Sequence, residues 1–200
     1  MSLSNAAKAG ALLFACSVQF GIALVIAEVL YPDYDMSRTL ISDLGATCNP
    51  SCTVFQPSSK IFNGSLVVFG LLILFGAYFT MKEFDCKSLV AVLLLSGVGV
   101  AGAGLFTETT LAIRLVFSFM AFVFSALAAI LSSKVLNSPL RYFSLVLGLV
   151  ALVAIALFVS GVYFGLGHGG MEKMIVYPVL LWYVGFGGHL MATKEAAILN

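Results

Sequence analysis

Six apolar runs, each close to the length of a bilayer crossing, decide what this chain folds into. They cover residues 10–30, 63–81, 88–106, 111–131, 142–164 and 174–191. A helix needs about 20 residues, at 1.5 Å rise each, to cross the hydrocarbon core. All six runs meet that within about a turn. A lone strand in lipid leaves its amides and carbonyls without partners, so the runs are predicted to be helices. Composition agrees: 61% of the 200 residues are hydrophobic and 10% are charged, against about 25% charged in a soluble domain. The predicted fold is all-α, a polytopic six-transmembrane-helix bundle forming one integral membrane domain over residues 1–200. One long structured extracytoplasmic loop is expected between helices 1 and 2. The first run is followed by no A-x-A cleavage pattern and is read as a retained span, not a signal peptide. The net charge of +1 supplies no basic face, which excludes a nucleic-acid partner.

The later connections are short: KEFDCK, TETT, SSKVLNSPLR and GLGHGGMEKMIVYP. Short connections force antiparallel neighbours and a bundle. Spans 2 to 5 are rich in Gly, Ala and Ser, which suits close helix packing within one chain or in a homo-oligomer. Orientation follows from Lys and Arg. Lys8, Lys82, Lys87, Lys134, Arg141 and Lys194 fall on one face, and Arg38, Lys60, Arg114 and Lys173 on the other. This bias places the chain in the cell membrane with both termini cytoplasmic and the long connection outside.

That connection, residues 31–61, is the other informative feature. It reads YPDYDMSRTLISDLGATCNPSCTVFQPSSKI and holds three Asp, two of the four Cys and three of the five Pro. Asp43 in S-D-L-G suits a cap for a turn or short helix, Gly45 permits a left-handed backbone, and Pro50 and Pro57 break any longer helix. The apolar pieces 39–41 and 54–55 suggest a segment that lids the bundle. Cys48 and Cys52, spaced C-N-P-S-C, suit a small loop-pinning disulfide on an oxidising face. Free thiols and a redox pair are the alternatives, although a redox motif is normally C-x-x-C.

Ionisable residues gather towards the same face. Glu28 lies near the end of span 1, Asp43 in the connection, Glu108 at the end of span 3 and Arg114 one turn into span 4. His168 and Glu172 lie in the last outer loop. Charges inside a membrane are costly and either pair or serve a site. Snorkelling of Glu28, a plain Glu108–Arg114 salt bridge and a solvated His168 are the structural alternatives. Asn63 and Gly64 are expected to open span 2. Its N-terminal amides, with Arg114, would then favour an anion such as phosphate or carboxylate. The binding candidates are Glu28, Ser42, Asp43, Asn63, Glu108, Arg114 and Glu172. The catalytic candidates are Asp43, Glu108, His168 and Glu172. Trp182 lies too deep in span 6 for an interfacial belt and is expected to face the bundle interior. Pro178 implies a kink or a first-turn position.

I-S-D-L-G after span 1, F-N at span 2, a Glu ending span 3, and G-M-E-K…Y-P…L-W at span 6 resemble the prokaryotic membrane family called domain of unknown function 998. The resemblance covers nearly the whole chain. A more distant likeness is to the Frag/DRAM/Sfk-type six-helix membrane proteins, associated with lipid remodelling and organisation. The resemblance points to Ser42, Asp43, Gly45, Asn63, Glu108 and Glu172. Arg114 is a departure, standing near a position where a His is expected early in span 4, and it weakens an enzymatic reading.

Three functions compete. The first is binding or handling of a membrane lipid at an outward-facing polar site within the bundle. The second is a membrane hydrolase or transferase, using a carboxylate-rich site that suits Mg or Ca better than Zn. The third is a small transporter, against which no broken-helix repeat is evident. The residues name no cofactor. The topology is checked with a cysteine placed at position 43 in a chain lacking its native cysteines. A membrane-impermeant thiol reagent should label it from outside intact cells, and labelling from the cytoplasmic side alone would reverse the orientation.

Overall fold

The computed structural model describes residues 3–48, 52–106 and 111–192. Six helices account for most of it: α1 (Asn5–Leu30), α2 (Ser58–Glu83), α3 (Lys87–Leu105), α4 (Leu111–Ser132), α5 (Leu140–Val159) and α6 (Gly167–Ala192). All six are long and apolar enough to cross a membrane. This is a multi-pass membrane protein.

The helix ends differ from the hydropathy boundaries for local reasons. α1 begins five residues before the apolar run, where the Ser4 side chain accepts the Ala7 N–H at 3.1 Å and caps the first turn. It ends at Leu30, before Tyr31, whose extended backbone is the conformation that a following proline favours. α2 starts at Ser58, directly after Pro57, so Asn63 sits in its second turn and does not open it. α5 stops at Val159, not at residue 164. Gly161, at φ +72°, donates to Phe158 O while Val162 donates to Leu157 O, which is a Schellman-type ending. α6 begins at Gly167 and draws the G-H-G-G-M-E-K motif into its first two turns. His168 and Glu172 are therefore helical, and Pro178 lies inside α6 and not in its first turn.

Each helix packs on its neighbours in sequence, and α6 closes the ring on α1. The inner faces meet through aromatic contacts. Phe20 stacks on Phe69 with centroids 5.1 Å apart, Phe69 meets Tyr183 edge-on at 5.6 Å, and Trp182 stacks on Phe186 at 5.4 Å. Trp182 is buried, and its Nε1 donates to Ser132 Oγ at 2.9 Å. Side chains such as Ile22, Val25, Leu149, Val153 and Leu181 point outward and are exposed, as lipid-facing residues must be.

Close helix approach depends on glycine. A methyl at Gly10 would lie 2.5 Å from Gly187 O, and one at Gly70 would lie 2.5 Å from Ala101 N and 2.6 Å from Gly97 O. These obstacles are backbone and cannot rotate away. Gly70→Ala must separate α2 from α3, at a cost of about 1–3 kcal/mol for overpacking. Gly21→Ala is the control, since nothing lies within 4 Å of its added carbon. Thermal unfolding in detergent should show a lowered midpoint for the first and an unchanged or raised one for the second.

Candidate functional site

The segment between α1 and α2 has almost no regular structure to satisfy its backbone. It contains one 3-10 turn (Ser42–Leu44) and a two-residue antiparallel ladder, β1 (Thr47–Cys48) with β2 (Cys52–Thr53). Side chains from the helices supply what is missing. Glu172, 3% exposed, accepts the N–H of Ile41 at 2.5 Å and of Ser42 at 3.3 Å on one carboxylate oxygen. Lys173, 4% exposed, donates to Met36 O at 3.2 Å and Thr39 O at 3.4 Å. Arg114, also 4% exposed, donates from Nη2 to Ser42 O at 2.7 Å. Consecutive residues of α6 thus take the donors and the acceptors of one stretch of backbone. Hydrogen bonds to charged groups contribute roughly 1.5–3 kcal/mol each.

Glycine lets the segment sit this close. The Gly169 N–H donates to Ser37 O at 2.9 Å, and a side chain at 169 would collide with Thr39 O. A side chain at Gly45 would collide with Arg114 Nη2 and Asn63 Oδ1. From α2, Ser59 Oγ and Asn63 Nδ2 both donate to Gly45 O, at 2.5 and 3.1 Å. Asn63 Oδ1 is buried and has no hydrogen-bond partner among the described residues.

Asp43 accepts the Leu40 N–H at 3.0 Å and so caps its own turn. Burial pushes its carboxyl up from the ordinary value, against the Leu40 N–H and Arg114, which pull it down. Glu28 is half-buried and takes the hydroxyl of Tyr34 at 2.5 Å. Burial and then that carboxylate push the Tyr34 phenol up. The Tyr34 ring also receives the Lys173 ammonium 5.2 Å from its centroid. On the exposed rim, Asp35 accepts from the Ser37 hydroxyl at 2.6 Å and the Ser37 amide at 2.8 Å, which holds its carboxyl below the usual range.

Beneath this cap lies a cavity of about 70 Å³. Its lining draws Arg114, Ser118, Ala121, Phe122 and Ser125 from α4, Glu172, Ile175, Val176, Val179 and Leu180 from α6, and Phe62, Leu66 and Phe69 from α2. Phe20 of α1, Val100 and Ala103 of α3, and Ile41 and Ser42 of the cap complete the wall, and α5 contributes nothing. From Arg114 to Ser125 the lining descends about 16 Å at 1.5 Å per residue. Arg114 and Glu172 are the two charged lining residues, and both stand at the capped end. At the foot, Ser125 bonds Ser96 at 2.5 Å, and Ser96 bonds the buried Tyr183 hydroxyl at 3.1 Å.

The expected candidates separate on this map. Ser42, Asp43, Asn63, Arg114 and Glu172 meet at the capped end. Glu28 stands behind them, through Tyr34 and Lys173. His168 is exposed and packs its ring 4.3 Å from Tyr163, so it takes no part. Glu108 lies outside the described residues. At the α2 N-terminus, Ser59 N donates to Phe55 O at 2.9 Å and Ile61 N to Pro57 O at 3.2 Å. Among the described residues no three of His, Cys, Asp and Glu come close enough to hold a metal. Cys48 and Cys52 are direct partners in the ladder; their side chains, and so the disulfide, lie outside the described residues. Lys173, Ser59, Ser118 and Ser125 were not among the candidates. The signals for them were an opposite-charge pair beside two glycines and isolated serines inside apolar runs.

The fold and site define a six-helix membrane protein whose polar cap closes one end of an apolar slot. The model of the family described as proteins of unknown function, DUF998, matches residues 14–189. The chain belongs to that family. No curated protein and no solved structure matches it.

The hydrogen bonds around Glu172 make a testable claim. Glu172→Ala leaves the buried N–H of Ile41 unpaired, at roughly 1–3 kcal/mol, and removes the partner of the half-buried Ser42 N–H. The variant should unfold at a lower temperature and be cut faster by protease within residues 36–45. Glu172→Gln keeps one acceptor and should fall between the variant and the parent.

Proposed function

We propose that this protein binds an amphiphile of the surrounding membrane. The aliphatic chain lies in the slot, and the polar group sits under the cap beside Arg114, Glu172 and Ser42. One observation carries the reading: an apolar lining with its two charged residues together at one end. Such a lining matches a molecule that is itself polar at one end only. The volume is narrow. It is less than half of the ~150 Å³ cavity that admits benzene, so a chain enters only as far as the lining side chains yield to it. Neither Glu172 nor Arg114 can be an incidental surface charge, because burying either one costs several kcal/mol unless hydrogen bonds offset it. The distribution of Lys and Arg favours an extracytoplasmic cap, which would draw the ligand from the outer leaflet. The remote likeness to Frag/DRAM/Sfk-type proteins points the same way.

Lipid analysis of the purified protein tests this. Ala121 lines the slot midway, and Ala121→Leu fills it without touching the cap. The parent should carry a bound single-chain lipid through purification. The variant should lose it about tenfold, equivalent to about 1.4 kcal/mol of binding, while keeping or raising its melting temperature. Equal lipid content in the two proteins would overturn the proposal.

A further inference from the structure

We infer that the slot is loaded from the side. An aliphatic chain comes out of the surrounding membrane along a groove between α5 and α6, and the capped-end half of α5 is the wall that yields. The inference rests on the slot being a ligand site. Two independent features support it.

The first is where the groove lies. It is on the lipid-facing side of α5 and α6 and holds about 440 Å³. It runs from Phe164 and Leu166, at the capped end, along α5 from Leu157 to Val146, about 16 Å at 1.5 Å per residue. All ten lining residues are apolar, and both helices are long and apolar enough to cross the membrane. At that depth the occupant that matches such a lining is the aliphatic chain of a lipid. Groove and slot stand back to back. Ala154, Ile155, Met171 and Ile175 form a buried cluster set apart from the main core. Ala154 and Met171 line the groove, while Ile175, one turn further along α6, lines the slot. Phe122 also lines the slot and packs on the same cluster. This small cluster divides the two spaces.

The second is how α5 is held. Ser17 of α1 donates to Leu180 O of α6 at 2.8 Å, and Gln19 of α1 donates to Ser65 O of α2 at 3.1 Å. The hydroxyls of Ser96, Ser125 and Tyr183 join α3, α4 and α6, and Trp182 ties α6 to Ser132 of α4. Among the described residues no side-chain hydrogen bond joins α5 to another helix. Packing alone holds it. Acyl chains are as apolar as the side chains they displace, so parting helices held only by packing carries no hydrophobic penalty in lipid. The packing is also uneven. In the far half of α5, Gly148 lies so close to α4 that an added Cβ would stand 2.8 Å from Ala126 O. Beyond the capped end the chain turns through Gly161 and Gly165, at φ +72° and +82°, and its backbone bonds stay local, Val162 to Leu157 and Leu166 to Tyr163. α5 is thus anchored in its far half and least restrained beside the head of the slot. The cap offers no such way in, since Arg114, Glu172 and Lys173 all bond its backbone.

Photocrosslinking tests the route. A palmitate with a diazirine in its chain is added to the full chain in phosphatidylcholine nanodiscs, and adducts are mapped by mass spectrometry after brief illumination. The parent should carry adducts at Val153 and Leu157 of the groove and at Ala121 and Val179 of the slot. Ala154→Cys with Met171→Cys, in a chain lacking its native cysteines, ties α5 to α6 from two positions that do not line the slot. Oxidised before the probe is added, this variant should label the slot about tenfold more slowly than when reduced, a barrier higher by about 1.4 kcal/mol. Its groove adducts should be unchanged. If the disulfide does not form, Val153→Trp fills the groove from an exposed position and should slow slot labelling likewise, whereas Ile22→Trp, exposed on α1, should not. Equal rates of slot labelling in restrained and unrestrained proteins overturn the lateral route and leave the slot reading standing. Slot adducts without groove adducts do the same. No slot adducts in any of the proteins overturns both.

Discussion

A backbone amide or carbonyl buried away from water must find a partner, and this molecule is arranged around that requirement. The six helices satisfy it internally. The 31–57 segment does not, because among its described residues regular structure amounts to one 3-10 turn and a two-residue ladder. Charged side chains therefore enter the bundle to complete it. Glu172 takes amides, Lys173 and Arg114 take carbonyls, and Ser59 and Asn63 take the carbonyl of Gly45. Charge at this end of the bundle is first of all a consequence of having non-helical backbone there.

The same arrangement shapes the slot below the cap. Arg114 and Glu172 reach the cap from α4 and α6, and their stripes run on down the helices into apolar surface. The polar groups that hold the cap are thereby the head of the slot. Under the proposed function, holding the cap and receiving a ligand's polar end would be tasks of one set of atoms. Small residues keep the surrounding helices close and the slot narrow, while α5 stays outside it as a cover.

Hydropathy made the helices legible, because a bilayer-length apolar run has one structural solution. It misplaced their ends wherever a cap or a glycine took over from hydrophobicity, as at Ser4, Gly161 and Gly167. The largest displacement followed from G-H-G-G-M-E-K. Its polarity and three glycines read as a loop, yet α6 absorbs it because Glu172 and Lys173 bond backbone instead of water. Asp43, Asn63, Arg114 and Glu172 were recognisable as charged or amide groups with no reason to sit in lipid. Their partners were not, since those partners are backbone atoms of other segments and leave no trace in side-chain chemistry. His168 looked equivalent to Glu172 by position. The two share a face of α6, but Glu172 stands about 6 Å deeper along the axis, where it is buried, while His168 stays exposed near the helix start.

Ring closure has a consequence for biosynthesis. The wall that completes the bundle is α6, pressed against α1 where Gly10 and Gly187 bring the two backbones together. It is the last of the six helices to leave the ribosome, while its partner is the first. Until it inserts, α1 holds an unmatched inner face, and residues 36–45 lack the carboxylate and ammonium that hold them. The cap thus stays undocked through most of translation, and a chain cut short before residue 173 has five helices in place and no site.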